Sequence, residues 1–466
     1  MKPLWTSREA AEATGGKAAG SWEAHGVSID TRTLQRDDLF VALVGENRDA
    51  HGFVGEAMAR GASAALVTRA IGGVDQSKLL FVHDTQDGLE ALGAAARART
   101  HAKIAAVTGS AGKTSTKEAL RTVLSMQGAT HASEASYNNL WGVPLTLARM
   151  PAESRYGIFE IGMNHADEIR PLVKQVRPDV AIVTTVEAVH LAHFPNVEAI
   201  AHAKAEIFEG LKPGGVAVIN ADNPYAPLLA AAANKAGARI WTFGEAGGEA
   251  RFISLSLGET SSEIEADILG EQVRFTYGAP GRHFAQNALG LLLIVKALGA
   301  DVRAAAEALR LVRAVKGRGL RETIETPNGA FTLLDESYNA NPASMAAALA
   351  LLGVAKPGAG GRRIAVLGDM LELGPESDAM HAALAPAVLA ASCDLVFASG
   401  PSMAHLWAQL PVSIRGAYAQ TSADFVDLVA ADVRPGDVVM VKGSLGSRMG
   451  LIVDALKARG VEAAKE

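Results

Sequence analysis

The sequence predicts an α/β protein of three domains, two of them built on parallel sheets. Three observations carry that prediction. The chain has 466 residues, too many for one ordinary core and suited to about three. Short apolar runs recur between helix-forming stretches, the pattern of a parallel sheet covered by helices. One of these runs, Lys103-Ile104-Ala105-Ala106-Val107, leads through a glycine-rich turn into a helix, and that turn has the residues to hold phosphate. The expected division is a small N-terminal α/β domain over residues 1–101, a central domain over 102–314 and a C-terminal domain over 315–466.

Composition narrows the class. Apolar residues make up 49% and charged residues 20% of the chain, which fits a folded, soluble protein. The net charge of −6 argues against nucleic-acid binding. A single cysteine, Cys393, excludes an internal disulfide and thiolate metal clusters. The opening residues Met1-Lys2-Pro3-Leu4-Trp5-Thr6 have no apolar core of signal-peptide length, and no run of about 18 apolar residues predicts a membrane span. A cytoplasmic monomer is expected.

In the first domain, Ser7 to Ala11 reads as a short capped helix. Strands are expected at 38–43, 64–67 and 79–82, with helices over 52–60 and 86–100. Two polar clusters flank the first clear strand: Ser28-Ile29-Asp30-Thr31-Arg32 before it and Gly45-Glu46-Asn47-Arg48-Asp49-Ala50-His51-Gly52 after it. Loops at the C-terminal ends of strands are the usual ligand positions of α/β sheets. Arg32, Asn47 and Arg48 suit a diphosphate or a nucleobase; a solvated loop with surface ion pairs uses the same residues.

The second domain opens with the strand and turn already noted, Thr108-Gly109-Ser110-Ala111-Gly112-Lys113-Thr114-Ser115. Its glycines let backbone N–H groups curl round phosphate oxygens, Lys113 supplies a point charge, and the Thr114 hydroxyl suits Mg²⁺. Only Ser110 and Ala111 separate Gly109 from Gly112-Lys113, so the loop is shorter than the usual phosphate loop. The domain therefore reads as a P-loop, ATPase-like parallel sheet. After the helix over 114–127, Asn138 and Asn139 offer side-chain amides in a loop. A strand over 156–162 carries Glu160 near its end. Another, over 179–186, is followed by Glu187-Ala188-Val189-His190. Because parallel strands share one C-terminal edge, Thr114, Glu160 and His190 are expected to converge there as a Mg²⁺ shell, with His the less usual ligand for so hard an ion. In the helix over 197–211, Lys204 fits either a solvated face or a buried, neutral amine able to take up CO₂ as a carbamate. Residues 250–278 alternate as an antiparallel ribbon appended to the sheet. Gly281-Arg282-His283-Phe284-Ala285-Gln286-Asn287 opens a long helix to Leu298, where Asn287 suits a base edge or a plain helix-start amide.

In the third domain Gly317 and Gly319 flank Arg318. A strand then runs into Asp335-Glu336-Ser337-Tyr338-Asn339-Ala340-Asn341-Pro342. The strand-then-polar-loop pattern recurs at 362–370, 394–400 and 437–444. Four strands separated by helices make a Rossmann-like, doubly wound sheet. No Gly-x-Gly-x-x-Gly stands in it, so a dinucleotide is not expected. Arg318, Asp335 and Lys442 are expected to close over a triphosphate from the far side of a cleft.

Together these stretches resemble the Mur ligase family, ATP-dependent amide-bond-forming enzymes of peptidoglycan precursor synthesis. The residues that carry the resemblance are the short loop Thr108 to Thr114, Asn138-Asn139 with Gly142 and Pro144, Glu160, His190, Lys204, and Gly281-Arg282-His283 with Asn287. Three further stretches, Asp335 to Pro342, Leu367-Gly368-Asp369-Met370-Leu371-Glu372-Leu373-Gly374 and Val441-Lys442-Gly443-Ser444, are similar to the branch that adds D-alanyl-D-alanine.

The resemblance implies ATP, two Mg²⁺ ions and, as substrates, UDP-N-acetylmuramoyl-tripeptide and D-Ala-D-Ala, joined through an acyl phosphate. By it, Thr108, Gly109, Ser110, Ala111, Gly112, Lys113, Thr114 and Ser115 cradle the triphosphate. Asn287 meets adenine, and Arg318 and Asp335 meet phosphate and ribose. Thr114 and Glu160 hold one Mg²⁺; His190 and a carbamylated Lys204 hold the second. Lys113, Glu160, His190 and Lys204 form the catalytic set. Ser28, Arg32, Asn47 and Arg48 lie on the uridine diphosphate side, and Asn138, Asn139, Tyr338, Asn339 and Asn341 contact substrate. The three domains take the UDP-sugar peptide, ATP and the incoming dipeptide in that order. Two rivals stand beside this reading. One is another ligase on the same scaffold, of the folylpolyglutamate type or adding diaminopimelate or lysine, which Asp335 to Pro342 argues against. The other is an ATP-driven switch, which has no use for Glu160, His190 and Lys204 together.

Overall fold

The structure, a computed structural model, describes residues 2–45, 48–134, 136–245 and 247–460. Asn47, expected on the uridine diphosphate side, lies outside the described residues. Among the described residues, the chain folds around three large sheets and a two-stranded one, with helices between the strands. No described helix is long and apolar enough to cross a membrane.

The N-terminal sheet has five strands in the order Lys17–Ala18, Leu79–Phe81, Ala64–Val67, Asp38–Val41, Gly26–Ser28. Only the Lys17–Ala18 edge pairs antiparallel. The helix expected over 52–60 starts as a 3₁₀ turn, Ala50–Phe53, because the Asp49 carboxylate caps it, and continues as Val54–Ala59.

The central sheet has nine strands. Five run side by side in parallel in the order Arg239–Gly244, Val216–Asn220, Val180–Val183, Lys103–Thr108, Tyr156–Glu160, with Thr130–Ala132 at the edge. Four of the five are apolar without alternation because both faces are covered, whereas Arg239–Gly244 is buried only at Phe243 and Gly244. Ala105 and Val107 share a core with the Arg282–Ala297 helix, while Ile104 and Ala106 belong to the core of Phe159, Ile200 and Phe208 on the other face. The ribbon Ala250–Leu257, Ser262–Ile268, Glu271–Tyr277 extends the sheet as three antiparallel strands, as the alternation predicts. The helix expected over 197–211 is α-helical for Val197–Ala205 and tightens to 3₁₀ over Glu206–Gly210, where a Cβ at Gly210 would run into the Val173 carbonyl.

The C-terminal sheet has six strands rather than four: Leu320–Thr326, Gly329–Glu336, Val438–Lys442, Arg363–Gly368, Leu395–Ser399 and Arg415–Ala419. The two extra strands are the edges. Leu320–Thr326 is charged and pairs antiparallel in a hairpin, and Arg415–Ala419 is short. Edge strands carry little apolar signal because one side meets solvent.

The first and central sheets are stitched through the helix Gly142–Ala148. It packs on Thr85–Arg99, where a Cβ at Gly93 would come within 3.0 Å of the Pro144 carbonyl. Trp5 Nε1 donates to the Ala148 carbonyl at 2.9 Å and Arg149 Nε to that of Val27 at 2.6 Å.

Candidate active site

The strand order decides what surrounds the glycine-rich loop. Lys103–Thr108 lies between Tyr156–Glu160 and Val180–Val183, so Glu160, Thr108 and Thr184 leave the sheet at one edge. The neighbouring strand end tacks the loop down. The Thr184 hydroxyl donates to the Ala111 carbonyl at 2.5 Å, the Ser110 N–H to the Thr185 carbonyl at 2.8 Å, and the Glu187 N–H to Ser110 Oγ at 2.9 Å. Gly109 (φ +149°) has no space for a side chain, since a Cβ would strike the Thr184 hydroxyl. Gly112 (φ +82°) would place one 2.6 Å from Asn287 Nδ2, which brings Asn287 against the loop. The helix Lys113–Ser125 begins at Gly112 with no side-chain cap, so its first-turn N–H groups are available to an anion. Lys113 Nζ arches back to the Gly109 carbonyl at 2.7 Å. Burial lowers its pKa, Glu160 opposes that fall and Arg318 adds to it.

The donor set fits Mg²⁺. Glu160 is buried; its Oε1 accepts from Asn138 Nδ2 at 2.7 Å, and its Oε2 has no protein partner. Thr114 Oγ1 is likewise buried and unpartnered. Two hard oxygens without partners, on the carboxylate beside the loop and on the first helical turn, are the ligand chemistry this ion takes. Lys204 is 2% exposed, and its pKa falls well below the ordinary lysine value through burial and the nearby Lys113 charge. His190 is lowered mainly by burial; Glu372 opposes this, and Lys204 and Lys113 add to it. Lys113, Lys204 and His190 thus share one electrostatic neighbourhood. Among the described residues no three His, Cys, Asp or Glu side chains close on one metal position. His190 turns its Nδ1 to Glu372, in the loop after the strand Arg363–Gly368.

A cavity of about 220 Å³ separates the loop from the C-terminal sheet. Ser110, Ala111, Gly112, Ser115 and Asn287 form one wall. Gly317, Arg318, Asn339, Asn341 and Lys442 form the other. The Arg318 guanidinium lies 4.1 Å from the Tyr338 ring centre and reaches Ser136 Oγ at 3.5 Å. Lys442 Nζ donates to the Asn339 carbonyl at 2.9 Å and pairs with Glu336 at 3.4 Å. Asp335 is turned inward: Oδ2 accepts from the Gly317 N–H at 3.0 Å, and Oδ1 from the Ser337 hydroxyl at 2.6 Å. It shapes the Arg318 turn from beneath. Asn341 accepts from the Ser344 N–H at 2.9 Å and caps the helix Pro342–Val354.

The other sequence-predicted residues divide similarly. Asn138 orients Glu160, and Asn139 Oδ1 accepts from the Gly142 N–H at 3.0 Å at the start of the next helix. Both amides are engaged within the protein. Ser28 is buried and donates to the Asp30 carbonyl at 3.1 Å. Arg32 is exposed and paired to Asp30; Arg48 is exposed nearby and adds to the field that lowers the Asp30 pKa, behind the Arg32 hydrogen bonds. The sequence reading did not single out Thr184, Thr185, Asn220, Gln286 or Glu336, all of which line the cavity. The first three share a signal that was available: each is a polar residue closing an apolar parallel strand.

With this geometry in place, comparison with known proteins gives the class. Residues 107–295 match the Mur ligase middle domain, and residues 321–445 the Mur ligase glutamate ligase domain. The chain belongs to the Mur ligase family. Among its relatives is the UDP-N-acetylmuramoyl-tripeptide–D-alanyl-D-alanine ligase of Escherichia coli, 36% identical over 93% of this chain and 94% of that one. The enzyme of the same name from Rickettsia prowazekii is 32% identical over 97% of this chain and 99% of that one. The crystal structure of MurF from Acinetobacter baumannii superposes with a TM-score of 0.84, at 29% identity, covering 98% of this chain and 99% of that one.

Proposed function

We propose that this chain is the ATP-dependent ligase that joins D-alanyl-D-alanine to UDP-N-acetylmuramoyl-tripeptide, releasing ADP and phosphate. The observation that carries the reading is the inter-sheet cavity, where the short phosphate loop faces Arg318, Asn339, Asn341 and Lys442. Relatives bearing that activity in their names match over more than nine-tenths of the chain. In this reading residues 1–101 hold the UDP-sugar peptide, 102–314 hold ATP, and 315–466 receive the dipeptide and close the site. With ATP as co-substrate the chain works in the cytoplasm, as a monomer.

The reaction brings two anions together and then an amine to a carbonyl. A carboxylate oxygen of the tripeptide attacks the γ-phosphorus, and ADP leaves. The amine nitrogen of the dipeptide attacks the resulting acyl carbon, loses its proton, and phosphate departs with the C–O bond electrons. The protein's contribution is position and charge. The loop N–H groups and Lys113 hold the phosphates, and Asn287 and Arg318 fix the nucleotide. Thr114 and Glu160 would hold one Mg²⁺, and His190 with Lys204, carbamylated, a second; bound Mg²⁺ neutralises charge between carboxylate and γ-phosphate. Asn138 fixes which Glu160 oxygen stays open. Burial keeps the Lys204 amine inclined to the neutral form that CO₂ requires. In this reading Arg32 and Arg48 take the diphosphate, Ser28 shapes their loop, and Asn139, Tyr338, Asn339 and Asn341 set the turns around the substrate.

The test is phosphate release from ATP with UDP-N-acetylmuramoyl-tripeptide, with and without D-Ala-D-Ala. Release that rises at least tenfold with the dipeptide supports the assignment. Release indifferent to it, or answering equally to glutamate, lysine or diaminopimelate, overturns it.

A further inference from the structure

The central and C-terminal sheets meet again outside the cavity. His190 follows the strand Val180–Val183, and Glu372 follows Arg363–Gly368. Their side chains join Nδ1 to Oε2. Their backbones join too: the Ala192 N–H donates to the Glu372 carbonyl at 3.1 Å. A Cβ at Gly374 (φ +68°) would lie 3.0 Å from the Leu191 carbonyl. Both His190 (φ +55°) and Glu372 (φ +63°) hold left-handed backbone, which side-chain-bearing residues rarely adopt. Two such residues paired across an inter-domain contact indicate a geometry fixed from both sides.

The arm that presents Glu372 is rigid. The Met370 N–H donates to His381 Nε2 at 2.9 Å, and His381 Nδ1–H to the Ser377 carbonyl at 2.7 Å. The Leu371 N–H donates to Ser444 Oγ at 2.9 Å, and the Ser444 N–H to the Asp369 carbonyl at 3.0 Å. His190 is also within the field of Lys204 and Lys113. An imidazole held at Nδ1 has one tautomer, with Nε2 left as the open lone pair on the far edge of the ring.

We propose that Glu372 is a positioning residue for the ligase reaction: docking of the C-terminal domain brings its carboxylate to His190 Nδ1–H and so sets the ring that serves the Lys204 side of the site. The domain that receives the amine thereby completes the site on the ATP-binding domain, and nucleotide use is tied to closure. The proposal rests on the placement of His190 in the reaction site made above.

Full-length Glu372→Ala and Glu372→Gln are the variants to compare. The side chain is half exposed, so both are expected to fold, and melting midpoints check this. The first readout needs no turnover. Histidine-selective ¹⁵N labelling reports the tautomer of His190, identified among 12 histidines by its loss in His190→Asn, with and without a non-hydrolysable ATP analogue. The Nδ1–H form is expected in the unsubstituted chain and in Glu372→Gln, whose amide oxygen still accepts, and a mixture in Glu372→Ala. The second readout is kinetic. In Glu372→Ala, kcat should fall at least tenfold with KM for the UDP-linked substrate within twofold, and Glu372→Gln should recover most of kcat. Glu372→Ala with kcat within twofold, with an unchanged His190 tautomer, or no worse than Glu372→Gln overturns the proposal. If the unsubstituted chain shows no dipeptide-dependent phosphate release, it is the functional reading that fails, and the tautomer comparison still decides the contact.

Discussion

Gly109 and Gly112 show how single positions make the phosphate cradle. One meets the Thr184 hydroxyl and the other the Asn287 amide, both at positive φ. Gly109→Ala should lower the melting midpoint and also lower ADP affinity at least tenfold by calorimetry, because its Cβ collides with the buried Thr184 clamp that holds the loop. Lys204 makes a second residue-scale prediction. In ¹³C-bicarbonate the chain should show a carbamate carbon signal that Lys204→Ala lacks, and the variant should lose about a hundredfold in phosphate release; full activity in Lys204→Ala would contradict the carbamate. At this scale the sequence was informative about residue type and weak about partners. Glu160 was legible as a carboxylate ending a strand beside the loop. That Asn138 is spent on orienting it, and Asp335 on the Gly317 turn, depends on contacts between segments 22 and 18 residues apart. Local patterns do not contain such contacts.

The elements divide by burial. Strands covered on both faces, such as Ile104 to Val107, announce themselves as unbroken apolar runs, and those at 103–108, 156–160 and 180–183 were legible for that reason; Arg239–Gly244, buried only at Phe243 and Gly244, was not. Leu320–Thr326 and Arg415–Ala419 were not, because at a sheet edge they carry charge and small residues. Asn341 and Ser344 form a reciprocal cap on Pro342–Val354, and this cap also holds the polar turn at the cavity wall. Asn341→Ala should therefore cost about 1 kcal/mol in the C-terminal unit, seen as a lower first melting transition. It should also raise KM for the dipeptide, whereas Asn341→Asp, which can still cap, should restore the melting transition.

At the scale of the molecule, the candidate site is the cavity between the phosphate loop and the C-terminal sheet, and from the sequence only a cleft could be expected. Folding stability has a pH signature at this cleft. The His283 ring lies tilted against that of Phe284, with ring centres 4.1 Å apart, and lines the cavity together with Lys442. Burial, with Lys442 adding, pushes its pKa from 6.5 down to about 4. The folded chain thus keeps this ring neutral where the unfolded chain protonates it. Its contribution is full above pH 6.5 and is lost as pH falls toward 4, at up to about 1.4 kcal/mol per pH unit. His283→Gln should flatten the fall of melting midpoint across that window relative to the unsubstituted chain.

The central claim is that this cleft makes an acyl phosphate from the tripeptide and passes it to D-Ala-D-Ala. Its most direct test is isotopic: UDP-N-acetylmuramoyl-tripeptide carrying ¹⁸O in its terminal carboxylate, incubated with the chain, ATP, Mg²⁺ and D-Ala-D-Ala. One ¹⁸O is expected in each phosphate released, matched by an equal amount of the UDP-linked pentapeptide. Unlabelled phosphate, or labelled phosphate with no pentapeptide, would contradict it.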